Sequence, residues 1–245
     1  MDRLGRKGYP ILMRPALLLV LAPLLANAAP AEPKFRLQEI DKVSIGYGLA
    51  IADVNGDGKP DILLADQHTV QWYQNPTWQK HVIAENLTKL DHVCIAAQVI
   101  DGKCEVAVGA GWNPSDTVNS GAVFYLQAPA DPTQKWTPIA LPHEPTVHRM
   151  QWVQVDAKRW DLVVQPLHGR GNKNSAGVGA KMIAYEKPAD PKQPWKIAVV
   201  NDVGHVTHNL QPTRWSNGPA QQILTGSKEG IWFNSYADGK WSHTQ

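Results

Sequence analysis

Cysteine is scarce in this 245-residue sequence, and its two cysteines form no CxxC pair of the kind that serves thiol redox chemistry or binds zinc. Cys94 and Cys104 stand on either side of the stretch "VIDGK". A hairpin that turns at Asp101 and Gly102 would place Cys94 nearer Gly109 than Cys104. Two buried thiols are therefore at least as well supported as a disulfide.

The sequence also lacks a basic stripe once its first 28 residues are set aside. Those residues contribute four of the 24 lysines and arginines and one of the 22 aspartates and glutamates, so the remaining chain is near −1. This balance argues against a nucleic-acid partner. Nucleotide fingerprints, a P-loop and a Ser-His-Asp order are missing as well, which removes the sequence patterns of several large enzyme classes.

The one long apolar run lies at the start of the chain. "PALLLVLAPLLANA" follows four basic residues and ends in the small-x-small pattern Ala26-Asn27-Ala28. Residues 1–28 are predicted to be a signal peptide and 29–33 a linker, with translation starting at Met1 or Met13. The mature protein is expected to be secreted or periplasmic, without a transmembrane segment. A retained amphipathic anchor is the alternative.

The rest of the sequence carries a repeat. Four units each hold four short apolar or alternating runs, separated by Gly, Pro, Asp and Asn. The third runs are "VQWYQNP", "VFYLQAP", "MIAYEKP" and "IWFNSYA", so an aromatic recurs at one point. Four-strand units of this length predict an all-β fold, a β-propeller of four-stranded antiparallel blades spanning residues 34–245. An irregular β-sandwich is the alternative, and in a propeller the recurring aromatics pack between blades.

The number of outer strands does not match the number of units. "KFRLQEID", from Lys34 to Asp41, resembles a further fourth strand although the last unit already ends in "KWSHT". We therefore expect about four blades in a shortened or incomplete propeller, or one that self-association completes.

An acidic loop stands in the first unit, in the stretch "DVNGDGKPDILLA". Its oxygen-bearing side chains occupy positions 1, 3, 5 and 9 of a nonapeptide, at Asp53, Asn55, Asp57 and Asp61. Gly58 at position 6 permits a left-handed turn. The stretch resembles the FG-GAP/VCBS repeat family of β-propellers, and the resemblance implies Ca²⁺ bound by these side chains and the Lys59 carbonyl. The alternative is an acidic turn without metal.

A second pattern places polar side chains near the propeller axis. Tyr47, His92, His148 and His208 each stand six residues before a matching point of the repeat, at the start of an innermost strand. Equivalent positions would converge on one axial mouth, which predicts a ligand site or a second divalent metal at the histidines. The alternative is that these side chains only satisfy strand ends.

The third unit contains a long Gly-rich connection from Pro166 to Lys181, which carries His168, Arg170 and Asn172. Such a loop is either a surface excursion or a lid over the mouth. The segment "HRMQW…LVVQPLHGRGN" resembles propellers related to aldos-2-ulose dehydratase, which act on keto-sugars. A sugar β-elimination needs a base and a group that stabilises the enolate. His148 or His208 as base, with Arg170 or Arg149 at the oxyanion, would meet these needs.

Three functions remain open at this point. The first is an exported, calcium-stabilised propeller that binds carbohydrate or protein at the axial mouth through Tyr47, His92, Arg149, His168 and Asn172. The second is a sugar lyase or dehydratase acting in the same mouth, and the third is an inactive truncated relative.

Overall fold

The computed structural model describes residues 32–245. The predicted signal peptide lies outside the described residues. The described chain contains sixteen β-strands and no helix. It therefore holds no helix long and apolar enough to cross a membrane.

The first two sheets each contain four antiparallel strands in sequence order. Blade 1 is formed by β1 (Gly48–Ala52), β2 (Asp61–Ala65), β3 (Thr69–Gln74) and β4 (Gln79–Glu85). Blade 2 is formed by β5 (Cys94–Ile100), β6 (Lys103–Ala110), β7 (Ala122–Gln127) and β8 (Thr137–Leu141).

The other two sheets repeat this arrangement. Blade 3 is formed by β9 (Val147–Gln154), β10 (Trp160–Pro166), β11 (Met182–Glu186) and β12 (Lys196–Asn201). Blade 4 is formed by β13 (Thr207–Thr213), β14 (Gln222–Ser227), β15 (Gly230–Ala237) and β16 (Lys240–Thr244). The four-stranded antiparallel blades of a β-propeller are confirmed.

The blades pack on one another in chain order. The innermost strand of each blade contacts that of the next, β1 on β5, β5 on β9 and β9 on β13. Three apolar clusters fill the junctions between successive blades. The third-strand aromatics Trp72, Tyr125 and Tyr185 are buried in them, which confirms their predicted role in blade packing.

The hairpin between β5 and β6 shows how local sequence sets register. Asp101 and Gly102 adopt φ values of 49° and 75°, the left-handed pair typical of a tight hairpin turn. Cys94 therefore pairs with Gly109, as predicted, and both cysteines are unpaired thiols. Burial raises the pKa of the Cys94 and Cys104 thiols to about 12.

The expected strand at Lys34–Asp41 is wrong, because residues 32–43 form no strand. The fourth position of blade 4 is taken by β16, the segment "KWSHT" that the sequence already placed at the end of the last unit. The side chains of Phe35 and Leu37 are exposed.

Candidate functional site

The acidic loop between β1 and β2 is closed by its own backbone. The Asp53 carboxylate accepts hydrogen bonds from the N–H groups of Gly56 at 2.8 Å, Asp57 at 3.1 Å and Gly58 at 2.9 Å. Gly56 and Gly58 have φ values of 76° and 82°, which glycine adopts without strain. The loop is therefore the tight turn that its spacing predicts, with Asp53 at its centre.

The exposed rim of the loop carries the next three predicted ligands. Asn55 Oδ1 accepts the Asp57 N–H at 3.1 Å, and Asp57 Oδ1 accepts the Lys59 N–H at 2.9 Å. Lys59 Nζ lies 3.4 Å from Asp57 Oδ2. The hydrogen bond from the Lys59 backbone is the main cause that lowers the pKa of Asp57. The rim carboxylate is thus ionised and exposed, which suits a cation ligand.

Asp61, the last predicted ligand, is fully buried. Its Oδ2 accepts the Val54 N–H at 2.9 Å, and its Oδ1 accepts the Asn75 N–H at 2.9 Å. Because Asn75 follows β3, this carboxylate ties the acidic loop to the β3–β4 connection. Asp61 therefore has a structural role that its position in the motif does not reveal.

The donor set of the loop fits calcium in chemistry, with three carboxylates and one carboxamide around a single turn. Each carboxylate oxygen that accepts a backbone N–H keeps a further lone pair. Within residues 32–245, no three His, Cys, Asp or Glu side chains converge as a metal-binding group. Calcium at this loop therefore stays a prediction.

One repeated hydrogen bond aligns the innermost strands of blades 2, 3 and 4. In each blade a residue one or two positions past the second strand donates its N–H to a carbonyl one to three positions before the first strand, in the pairs Trp112–Asp91, Leu167–Thr146 and Lys228–Val206. Two residues beyond those carbonyls stand Val93, His148 and His208. The predicted equivalence of His92 with the other two histidines is therefore wrong by one residue.

His92 instead joins blades 1 and 2. Its N–H donates to the Gln67 carbonyl at 3.0 Å, and its Nδ1 lies 3.1 Å from the Asp66 carbonyl. Thr207 makes the same two bonds between blades 3 and 4, with its N–H and its hydroxyl. Burial lowers the pKa of His92, so the ring is neutral and Nδ1 donates. The role of satisfying a strand end, considered above as an alternative, applies to this histidine.

His148 and His208 do meet, as their shared position predicts. Their ring centroids are 4.7 Å apart in an edge-to-face arrangement. On its other side the His148 ring stacks on Trp112, with 5.0 Å between centroids. His148 is buried and neither of its ring nitrogens has a hydrogen-bond partner, whereas His208 is exposed. This cluster thus holds two buried nitrogens without a partner directly behind the exposed His208 ring.

The charge state of His148 follows from its surroundings. Burial, with the nearby charges of Arg149, His208 and His168, lowers the pKa of His148 to about 3. The ring is therefore neutral at physiological pH, with one N–H to donate and one lone pair to accept. A buried polar group without a partner is costly, and a ligand that pairs with it recovers that cost.

His168 and Asn172 line a cavity of about 450 Å³. The cavity lies between the β6–β7 and β10–β11 connections, and the other lining residues are Pro114, Ser115, Thr117, Lys173, Asn174 and Ser175. The β10–β11 connection runs over residues 167–181, close to the predicted Gly-rich loop. The loop therefore builds a wall of this cavity, and its lining residue His168 is one of the groups that lower the pKa of His148.

Arg170 does not join the histidines. Its Nε lies 3.1 Å from Glu144 Oε2, and its Nη1 donates to the Val118 carbonyl at 3.2 Å. Arg149 is the arginine whose charge acts on His148, and its Nη1 donates to the His148 carbonyl at 2.9 Å. Arg149 is therefore better placed than Arg170 for an anion at this end. Tyr47 is exposed just before β1.

Two known protein families match stretches of this chain that contain the residues described above. The family model for the aldos-2-ulose dehydratase β-propeller domain matches residues 120–245, just over half of the chain. The chain belongs to that family. The FG-GAP repeat model matches residues 45–70, which include the acidic loop. A search of curated proteins found no match.

The family match contains His148, Arg149 and His208, but Trp112 lies before it. Trp112 was missed in the sequence because only the aromatics that recur in the third strands were considered there. Its position in the sequence could have singled it out, since "GAGW" follows the second strand of its unit rather than lying in the third. Glu144, which holds Arg170, had no signal, because the pair is 26 residues apart.

Proposed function

We propose that this propeller is an exported binding module that takes a small carbohydrate at the axial end where His148 and His208 meet. The observation that carries the proposal is the pair itself, two imidazoles at equivalent strand positions with 4.7 Å between centroids. Both nitrogens of His148 lack partners although the ring is buried. A ligand with hydroxyl groups supplies the missing donor and acceptor.

The surroundings of the pair favour a sugar over a protein segment. The half-buried indole of Trp112 stacks on His148, and its remaining exposed part would pack against the C–H groups of a pyranose. The neighbouring cavity is lined mainly by hydroxyl and carboxamide groups, and its volume of about 450 Å³ lies within the range of small-molecule sites. His168 and Asn172 are the residues we assign to hydroxyl contacts there.

The acidic loop is proposed to have a structural part in this function. Calcium bound by Asp53, Asn55, Asp57 and Asp61 would hold β1 against β2 and so fix blade 1. Export, with removal of residues 1–28, would bring the loop into compartments where calcium is abundant. A second divalent metal at His148 and His208 is a further proposal.

The proposal is tested by calorimetric titration with neutral aldoses, ketoses and disaccharides. Trp112→Ala and His208→Ala are expected to weaken binding of a recognised sugar by about tenfold or more, because each removes a contacting ring. His243→Ala, which removes an exposed imidazole on β16, is the matched control and keeps the wild-type affinity. Equal affinity in all four proteins, or no binding of any sugar, contradicts the proposal.

A second candidate is a lyase acting on a keto-sugar, and the family match favours it because it covers both histidines. The exposed His208 would take the proton next to the carbonyl, and Arg149 would stabilise the enolate while a hydroxyl leaves as water. The test is the ultraviolet absorbance of an enone product with wild type and His208→Ala. Sugar binding without product formation supports the binding module and rejects the lyase.

A further inference from the structure

The rear face of blade 1, the face turned away from blade 2, exposes apolar side chains of its innermost strand. Leu49 and Ile51 are 66% and 65% exposed. Strand pairing shows which residues of the other innermost strands are equivalent to Leu49. Leu49 pairs with Leu64 of the second strand, and the equivalent pairs in blades 2, 3 and 4 are Ile95–Val108, Met150–Val164 and Leu210–Thr225. Those three counterparts are buried. Nothing in residues 40–245 takes the place of a preceding blade over Leu49.

The front face of blade 4, the face turned away from blade 3, shows the complementary exposure. Ile231 pairs with Gly226, as Val70 pairs with Ala65 and Val123 with Gly109. Val70 and Val123 are fully buried, whereas Ile231 is 68% exposed. Trp215 is also exposed, and its ring meets that of Phe233 at 6.2 Å between centroids.

These two faces are the two halves of one repeated junction. Within the described chain each blade packs its front face on the rear face of the next, and the junction forms three times. No substantial contact joins β13 to β1 in residues 40–245. Residues 41–46 cover the outer part of the rear face, where Asp41 accepts a hydrogen bond from the Tyr73 hydroxyl at 2.7 Å. The innermost strand, on which the interior junctions form, stays uncovered.

We propose that the occupant of both faces is a second copy of this chain, with the front face of each copy on the rear face of the other. The interface would continue the blade-to-blade packing already present in the chain. Both of its sides carry apolar side chains, Leu49 and Ile51 on the rear face and Ile231 and Phe233 on the front face. Two copies give eight blades, within the four to eight usual for propellers, whereas three would exceed that number. A closed, twofold-symmetric dimer follows.

The first test measures the mass of the purified chain by sedimentation velocity over a range of concentrations. Wild type is expected to form a dimer that dissociates to monomer on dilution. Leu49→Asp and Ile231→Asp each place a carboxylate in both junctions of the dimer, and we expect the dissociation constant to rise more than about a hundredfold. Val199→Asp, at an exposed position of β12, is the matched control and remains dimeric. Circular dichroism verifies that each variant is folded.

The second test mixes the two aspartate variants. A mixed dimer has one junction with both faces intact and one that carries both aspartates, so mixing two monomeric variants is expected to restore association. An isologous interface, in which each face meets the same face of the other copy, does not predict that rescue. A wild type that stays monomeric, a series of growing oligomers, a dimer unaffected by either aspartate, or two variants that remain monomeric when mixed would each overturn the proposal.

Discussion

Replacing Asp61 by alanine is expected to destabilise blade 1 strongly. The buried carboxylate accepts the N–H groups of Val54 and Asn75, each at 2.9 Å. Hydrogen bonds to a charged acceptor contribute about 1.5–3 kcal/mol each, and their loss leaves two backbone donors without partners. We therefore expect the free energy of unfolding to fall by about 3–5 kcal/mol, a large share of a typical total of about 5–15 kcal/mol. Asp61→Asn keeps one acceptor oxygen and should lose about half as much.

The assay is urea unfolding in the presence of a calcium chelator, so that only the protein's own hydrogen bonds are compared. Asp57→Ala is the matched control, because it removes an exposed carboxylate from the same loop. With an m-value of about 2–3 kcal/mol/M, the unfolding midpoint of Asp61→Ala should fall by about 1–2.5 M at unchanged m. An Asp61→Ala protein within about 1 kcal/mol of wild type would refute the structural role of this carboxylate.

Three further predictions concern the loop, acid stability and the core. Calcium should raise the melting temperature of wild type but not that of Asp57→Ala, and a wild type that does not respond contradicts the calcium proposal. Burial alone would raise the pKa of Asp66, but hydrogen bonds from the backbone N–H groups of residues 44–46 lower it to about 2. This carboxylate therefore contributes about 2 kcal/mol above pH 4, which is lost as the pH falls from about 4 to 2, and Asp66→Asn should flatten that part of the stability profile. Gly109→Ala should cost about 1–3 kcal/mol in urea unfolding, because its Cβ would lie 2.5 Å from Cys94 Sγ and 2.7 Å from Val147 Cγ1; a wild-type midpoint would contradict this.

Local sequence was sufficient to predict the blades. Apolar runs bounded by turn residues gave the four strands of each unit, and the turn at Asp101 and Gly102 placed Cys94 opposite Gly109. The strand expected at Lys34–Asp41 is absent, although its composition resembles that of the other fourth strands. Propensity describes a segment, whereas strand pairing depends on the partner that is available.

The candidate site was predictable only in part. The shared position of His148 and His208 followed from the period of the repeat, and their rings meet. His92 was placed one residue off, because a shift of one residue between repeats is invisible in sequence and yet gives the side chain a different role. Arg170 was misplaced since its partner Glu144 lies on a distant segment, and long-range ion pairs leave no local pattern.

The axial site is tested most directly by the nitrogen resonances of its histidines. In a ¹⁵N-resolved histidine spectrum at pH 5.5, His148 should appear as a neutral imidazole, because burial and neighbouring charges lower its pKa to about 3. Adding the sugar with the highest affinity in the titration panel should shift the His148 and His208 resonances and leave His243 unchanged. A protonated His148 at that pH, or a bound sugar that moves neither resonance, would contradict the account.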